Sequence, residues 1–145
     1  MRDINFLDKN LEHLFQAKDS FSVAKSFEGE IYRKYENRVT KKFMNEGRSY
    51  FIKFHGPVGW KEILKNILQI KIPVVGARRE YEALSHLDEC GINCPQVKGF
   101  ATRGFNPANS SSFLITEELY GTISLEDFFL EGMHKKLTYN QKNKL

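Results

Sequence analysis

Residues 49–55, SYFIKFH, alternate with the two-residue period of a strand, and the alternation leaves one ammonium in an awkward place. Tyr50, Ile52 and Phe54 face one way, and Phe51, Lys53 and His55 the other. Two aromatics and an isoleucine bracket Lys53 in a segment whose neighbours would normally bury both sides. The fold must therefore supply a sheet around this strand and a group to meet the lysine.

The flanking sequence supplies the sheet. EIYRKYENR and RVTKKFM read as two strands joined through residues 36–38, and NEGR turns the second into SYFIKFH, giving a three-strand antiparallel meander. After GPVG, the segment WKEILKNILQI places Trp60, Ile63, Leu64, Ile67 and Leu68 at helical spacing. KIPVVG connects to a second helix, ARREYEALSHLDECG, that ends at Gly91 as a left-handed cap. QVKGFATRG and SSFLITEEL read as two more strands across the turn-rich loop FNPANSS. ISLEDFFLEG is a short helix with Thr122 or Ser124 as its cap. Ahead of all this, FLDKNLEHLF puts Phe6, Leu7, Leu11, Leu14 and Phe15 on one helical face, a short amphipathic entry helix or arm. The expected fold class is α+β: a five-stranded antiparallel sheet with inserted helices. It divides into an N-terminal arm over 1–28, the sheet-bearing lobe over 29–119 and a trailing segment over 120–145.

Composition narrows the class of partner. Twelve Phe and six Tyr, with 28% charged residues, exclude a disordered chain. No run approaches a membrane span, and MRDINFLDKNLEHLF lacks the apolar core of a secretory signal, so a cytoplasmic protein is expected. A net charge of +4 leans toward anionic partners. Nucleic acid is not among them: YRKYENRVTKKF mixes basic and aromatic residues but also carries acids and no recognised single-strand motif. His86, Cys90 and Cys94 form an H-x3-C-x3-C run, short of the four paired ligands that zinc prefers, and no metal site is assigned.

A partner for Lys53 lies on the second helix. At about 100° per residue, Glu80 falls within about 40° of Leu84 and about 20° of Leu87, whereas Glu82 points away. A carboxylate on an apolar face and a lone lysine on a sheet each need what the other has. Such a pair can grip nucleotide phosphates, as in protein kinases, or serve as a purely structural ion pair.

The later segments resemble a kinase hinge. SFLITEELYGTISLEDFF runs from an apolar strand into an acidic linker and a helix, with Thr116 where a residue guards the adenine pocket. EIYRKYENRVTKKF, RSYFIKFH, KEILKNILQIKIPVVGARREYEAL, FNPANSSSFLITEEL and TISLEDFF together resemble the N-terminal portion of the bacterial lipopolysaccharide core heptose kinases, from about Leu11 onward. The resemblance implies a protein-kinase-like N-terminal lobe that binds ATP with Mg2+. Lys53 would anchor phosphate and Glu80 would orient it. The Glu117 carbonyl and the Leu119 amide would meet the adenine edge, and Arg38 would lie near the phosphates. The chain departs from the kinase pattern at the first turn, where KYENRV replaces a glycine-rich loop and leaves Arg33, Lys34 and Arg38 as electrostatic substitutes. Phe51 stands where a small residue usually roofs the adenine.

The aspartates that position the acceptor hydroxyl and hold magnesium belong to a second lobe, so no catalytic residue is assigned within this chain. Thr138 and Gln141 form a capping-box signature with no apolar helix after it, as expected of a chain cut inside a longer protein. The implied acceptor is a heptose of the lipopolysaccharide inner core, a glycolipid, which adds the inner-membrane surface as a partner. The other reading is a non-catalytic module that grips an anion or a partner and holds Lys53–Glu80 as a structural pair.

Overall fold

The structure is a computed structural model that describes residues 3–16, 19–35, 37–70, 76–106, 108–123 and 125–133. Its centre is an antiparallel sheet built from β1 (Ile4–Leu7), β2 (Glu30–Tyr35), β3 (Arg38–Asn45), β4 (Arg48–His55), β5 (Val97–Arg103) and β6 (Ser111–Glu117). The strands lie in the order β1-β5-β6-β4-β3-β2. Four α-helices accompany them: α1 (Ser20–Ser26), α2 (Trp60–Leu68), α3 (Arg78–Glu89) and α4 (Leu125–Leu130).

The meander forms where the local signals put it. Glu46 and Gly47 take positive φ of 49° and 76°, the geometry of a two-residue hairpin turn, and β3 and β4 pair without interruption from Asn45↔Arg48 to Arg38↔His55. At the end of α3, Gly91 has φ 71° and the Ile92 amide reaches back to the Leu87 carbonyl at 2.9 Å.

Two expectations need correction. The sheet has six strands rather than five, and FLDKNLEHLF is not one amphipathic helix. Residues Ile4–Leu7 instead add an edge strand to β5, and a 3₁₀ helix over Lys9–Phe15 follows. The break falls at Asp8, whose backbone is extended and whose carboxylate accepts from the Asn10 amide at 3.0 Å. Helical spacing across a cap residue had merged two elements. Leu11 and Phe15 are buried as the pattern requires, while Phe6 is 41% exposed. Of the two cap candidates for α4, Thr122 donates its hydroxyl to the Leu119 carbonyl at 3.0 Å. Ser124, and the capping box at Thr138 and Gln141, lie outside the described residues.

Strand alternation then sorts the side chains. Tyr50 and Ile52 of β4, Phe43 of β3, Ala101 of β5, and Phe113 and Ile115 of β6 face one side, where Leu11, Phe15, Phe21 and Ala24 complete a buried cluster. The N-terminal segment thus roofs this face. Its α1 is capped by Asp19, which accepts from the Phe21 and Ser22 amides, and Asp19 also meets Arg103 of β5. Arg103 further binds Asp3 at 2.5 Å and lies over the Phe21 ring at 4.3 Å.

Candidate functional site

On the opposite face, α3 is held against β5 and β6 by a few specific contacts. Tyr81 stacks on Phe100 with ring centroids 4.2 Å apart, Leu84 and Val97 flank the small cluster of Ala77, Phe100 and Leu114, and the Ala77 amide donates to Ser112 Oγ at 2.8 Å. Gly76 permits this approach: its φ is 121°, and a Cβ there would lie 2.9 Å from Ser112 Oγ. The start of α3 is therefore pinned to β6, and Glu80, one turn in, projects toward β4.

Lys53 meets it. The ammonium and the Glu80 carboxylate are in direct contact, with side chains 33% and 37% exposed. Lys53 lies between Thr40 of β3 and Leu114 of β6 in the sheet register. Glu82 turns outward and lies 3.9 Å from Arg78, as its position on the helix requires.

Two concavities adjoin the pair. One, of about 620 Å³, is lined by Tyr32, Phe51, Thr116, Glu117, Leu119 and Ile123, among others. The second, of about 490 Å³, is lined by Arg33, Lys34, Arg38, His55 and Glu80. Arg33, Thr40 and Lys53 border both. Four basic side chains, Arg33, Lys34, Arg38 and Lys53, thus line the second concavity, and Arg33 and Lys53 stand where it meets the larger one, which has Phe51 in its wall. Phe51 is braced edge-on by Tyr32 at 5.3 Å.

The segment leaving β6 is fixed from both sides. The Glu117 amide donates to the Gln96 carbonyl and the Glu118 amide to the Ser49 carbonyl, each at 2.9 Å. The Glu117 side chain turns to Arg48 at 3.4 Å and Lys98 at 3.3 Å, and Tyr120 Oη accepts from the Ser49 amide at 2.8 Å. Glu118 pairs with Lys42 at 2.6 Å, and the hydrogen bond from that ammonium holds its carboxyl below the ordinary range while Lys42 is pushed up. Thr116, 3% exposed, faces the larger concavity.

His55 was not a predicted site residue. Its Nδ1 is buried with no hydrogen-bond partner among the described residues, and its pKa is lowered by burial first and by the Arg38 charge second. The sequence carried a signal for it, since His55 shares the Lys53 face of β4. Sequence-predicted Lys53, Glu80 and Arg38 gather at the second concavity, and Lys53, Glu117 and Leu119 at the first. Cys90 and Cys94 have separate surroundings: Cys90 Sγ lies 3.8 Å from His86 Nε2, and Cys94 Sγ lies 3.6 Å from the Leu84 carbonyl.

An antiparallel sheet with a strand lysine joined to a helix glutamate, and a linker leaving its last strand, defines the N-terminal lobe of a protein-kinase-like fold. Residues 23–144 match the lipopolysaccharide kinase (Kdo/WaaP) family, and the chain belongs to it. It is 43% identical over 122 residues to the lipopolysaccharide core heptose(I) kinase WaaP of Escherichia coli K12, and 39% identical over 122 residues to that of Pseudomonas aeruginosa. Each match covers 84% of this chain and 46% of the relative, so the chain spans about half the length of the curated relatives it matches. Among solved structures it resembles WaaP in complex with acyl carrier protein, with a TM-score of 0.67 and 29% identity over 91% of this chain and 47% of that one. A carrier protein is a different kind of partner from the glycolipid implied by the sequence.

Proposed function

We propose that this chain forms the nucleotide-binding lobe of an ATP-dependent kinase that phosphorylates a heptose of the lipopolysaccharide inner core. The observation that carries the reading is the Lys53–Glu80 contact at the junction of the two concavities. An ion pair this exposed contributes only ~0.2–1 kcal/mol to folding, so stability alone is a weak reason to place a lysine among apolar neighbours. Holding an ammonium where a phosphate chain would run is a better one.

The donor set fits such a ligand. The larger concavity offers Tyr32, Phe51, Leu119 and Ile123 to a base beside the Glu117–Leu119 linker, Lys53 and Arg33 stand at its junction with the second, and Lys34 and Arg38 line the second. Bound ATP would supply the transferable phosphoryl group. Glu80 would keep Lys53 aimed at phosphate oxygens. The basic side chains of the β2–β3 hairpin would take the electrostatic part that backbone amides of a glycine-rich loop play elsewhere. With the Glu117 side chain committed to Arg48 and Lys98, and the Glu117 and Glu118 amides to Gln96 and Ser49, the Glu117 carbonyl and the Leu119 amide would be the groups of this linker that meet a base. Magnesium is different: among the described residues no group of three His, Cys, Asp or Glu could hold a metal ion, and no step is assigned to one here. The carboxylates for metal and acceptor would come from the portion of the relatives that this chain does not span.

The family and its heptose(I) kinase members support the acceptor class. ATP as the donor, together with a glycolipid acceptor, supports a site of action at the cytoplasmic side of the inner membrane. Titration of the chain with ATP by calorimetry tests the reading. Lys53→Met should weaken binding by about 10–100-fold, the worth of a charged hydrogen bond, while the melting temperature moves by no more than a few degrees. The reverse pattern, a lower melting temperature with nucleotide affinity intact, would make the pair purely structural.

A further inference from the structure

Helix α2 turns much of its apolar side outward. Ile63 is buried at 5% exposure, but Trp60, Leu64 and Leu68, on one i, i+4, i+8 row, are 55%, 56% and 84% exposed, and Ile70 just beyond is 95% exposed. At about 100° per residue, Lys61 lies about 20° past Leu68 and Lys65 about 60° past it, while Glu62 lies about 160° from the middle of the row. Both lysines are exposed. An apolar row edged by two exposed lysines, of which Lys65 also meets Glu62 at 3.4 Å, is the pattern of a helix that lies in a membrane interface.

Its place in the fold agrees. The Gly59 amide donates to the Ala108 carbonyl at 2.9 Å, which ties the start of α2 to the loop between β5 and β6. That loop lies at the end of β6 opposite Glu117, about 20 Å from the linker at strand rise. Phe105, in the same loop, is fully exposed. Aromatic side chains from two elements are therefore offered at the end of the sheet remote from the point where the chain leaves it.

We propose that α2, with the β5–β6 loop, is a docking surface for an anionic lipid bilayer. Trp60, Leu64, Leu68 and Ile70 enter the boundary between headgroups and acyl chains, and Lys61 and Lys65 lie among lipid phosphates. The inference rests on the reading of the acceptor as a membrane glycolipid, and it names the element that would hold the lobe at that membrane.

Trp60 is the single tryptophan of the chain, so its fluorescence reports directly. The full chain is titrated with phosphatidylcholine vesicles with and without phosphatidylglycerol. A blue shift confined to the anionic vesicles, with quenching by brominated lipid, is expected. Lys61→Gln and Lys65→Gln should each weaken partition about fivefold, and added salt should weaken it further. Leu68→Asp with Ile70→Asp should abolish it with the far-ultraviolet circular dichroism unchanged, because both positions are exposed. An unshifted spectrum with anionic vesicles overturns the proposal, as does an equal shift with phosphatidylcholine alone. A shift produced by soluble acyl carrier protein but not by vesicles assigns the row to a protein partner and also overturns it. ATP affinity of the unsubstituted chain separates the two readings: no binding to anionic vesicles with ATP bound sinks the docking surface alone, and vesicle binding with no affinity for ATP sinks the nucleotide site.

Discussion

The two faces of the sheet are built from the same strands and serve opposite ends. One face, roofed by the N-terminal segment, closes over ten buried residues, with the Phe15 and Phe21 rings each against Phe113, at 5.6 and 5.3 Å. On the other the buried apolar cluster is just Ala77, Phe100 and Leu114 among the described residues, and beside it lies an open, basic concavity. Residues one step apart on β4 divide accordingly: Ile52 is 1% exposed in the closed core, while Lys53 next to it stays a third exposed against Glu80. A lobe that must bind a charged ligand cannot close both faces. Stability concentrates on the roofed side, and this leaves the other free for groups that are costly to bury.

The largest expected effect follows from that division. Phe113, fully buried at the centre of the closed face, should cost ~3–5 kcal/mol when changed to Ala, comparable to the whole stability of a small domain. Chemical denaturation should show the loss. ATP affinity, corrected for the folded fraction, should not change. A direct change in affinity with the fold intact would break the separation of the faces.

Gly76→Ala should have an intermediate effect and cross between fold and site. The substitution forces a side chain into φ 121° and against Ser112 Oγ, a strain of ~1–3 kcal/mol. Relief by withdrawing α3 from β6 would carry Glu80 away from Lys53. Stability and ATP affinity should then fall together, as neither Phe113→Ala nor Lys53→Met would make them do. Affinity held at the starting value would show that Glu80 is placed by something other than the Ala77–Ser112 contact.

Much of this division was legible in the sequence, because it rests on local periods. The alternation of SYFIKFH assigns each β4 side chain to a face, the helical phase of Glu80 brings it toward the sheet, and Gly91 marks the end of α3. What was not legible is non-local or too short to show a period. A four-residue edge strand has no pattern of its own, and β1 is defined by pairing Ile4 with Ala101 across most of the chain. The roof it begins was hidden with it, although Asp19 before SFSV is a cap signal that could have revealed α1. Arg103, which meets both Asp3 and Asp19, and Lys42, which meets Glu118, are likewise pairs that only the fold brings together.

The smallest expected effect is in acid, where the two faces should respond at different pH. His55, on the open face, is kept neutral by burial and by Arg38, so its folded pKa lies below the ordinary 6.5. As pH falls past 6.5 the unfolded chain takes up a proton that the folded chain resists, and stability begins to decline there. Asp19, on the roof of the closed face, is shifted the same way for a different reason: the hydrogen bond from Arg103, then that from Ser22, holds its carboxyl far below the usual 3.8. Its contribution is complete above 3.8 and is lost only as pH drops from there toward the folded value. Stability measured against pH should therefore show two descents. His55→Gln should flatten the one that starts near neutrality and leave the deeper acid one, and Arg103→Met should lessen the deeper one, to which Glu118 beside Lys42 also contributes, and leave the upper. If His55→Gln left the upper descent in place, the buried imidazole would not be its source.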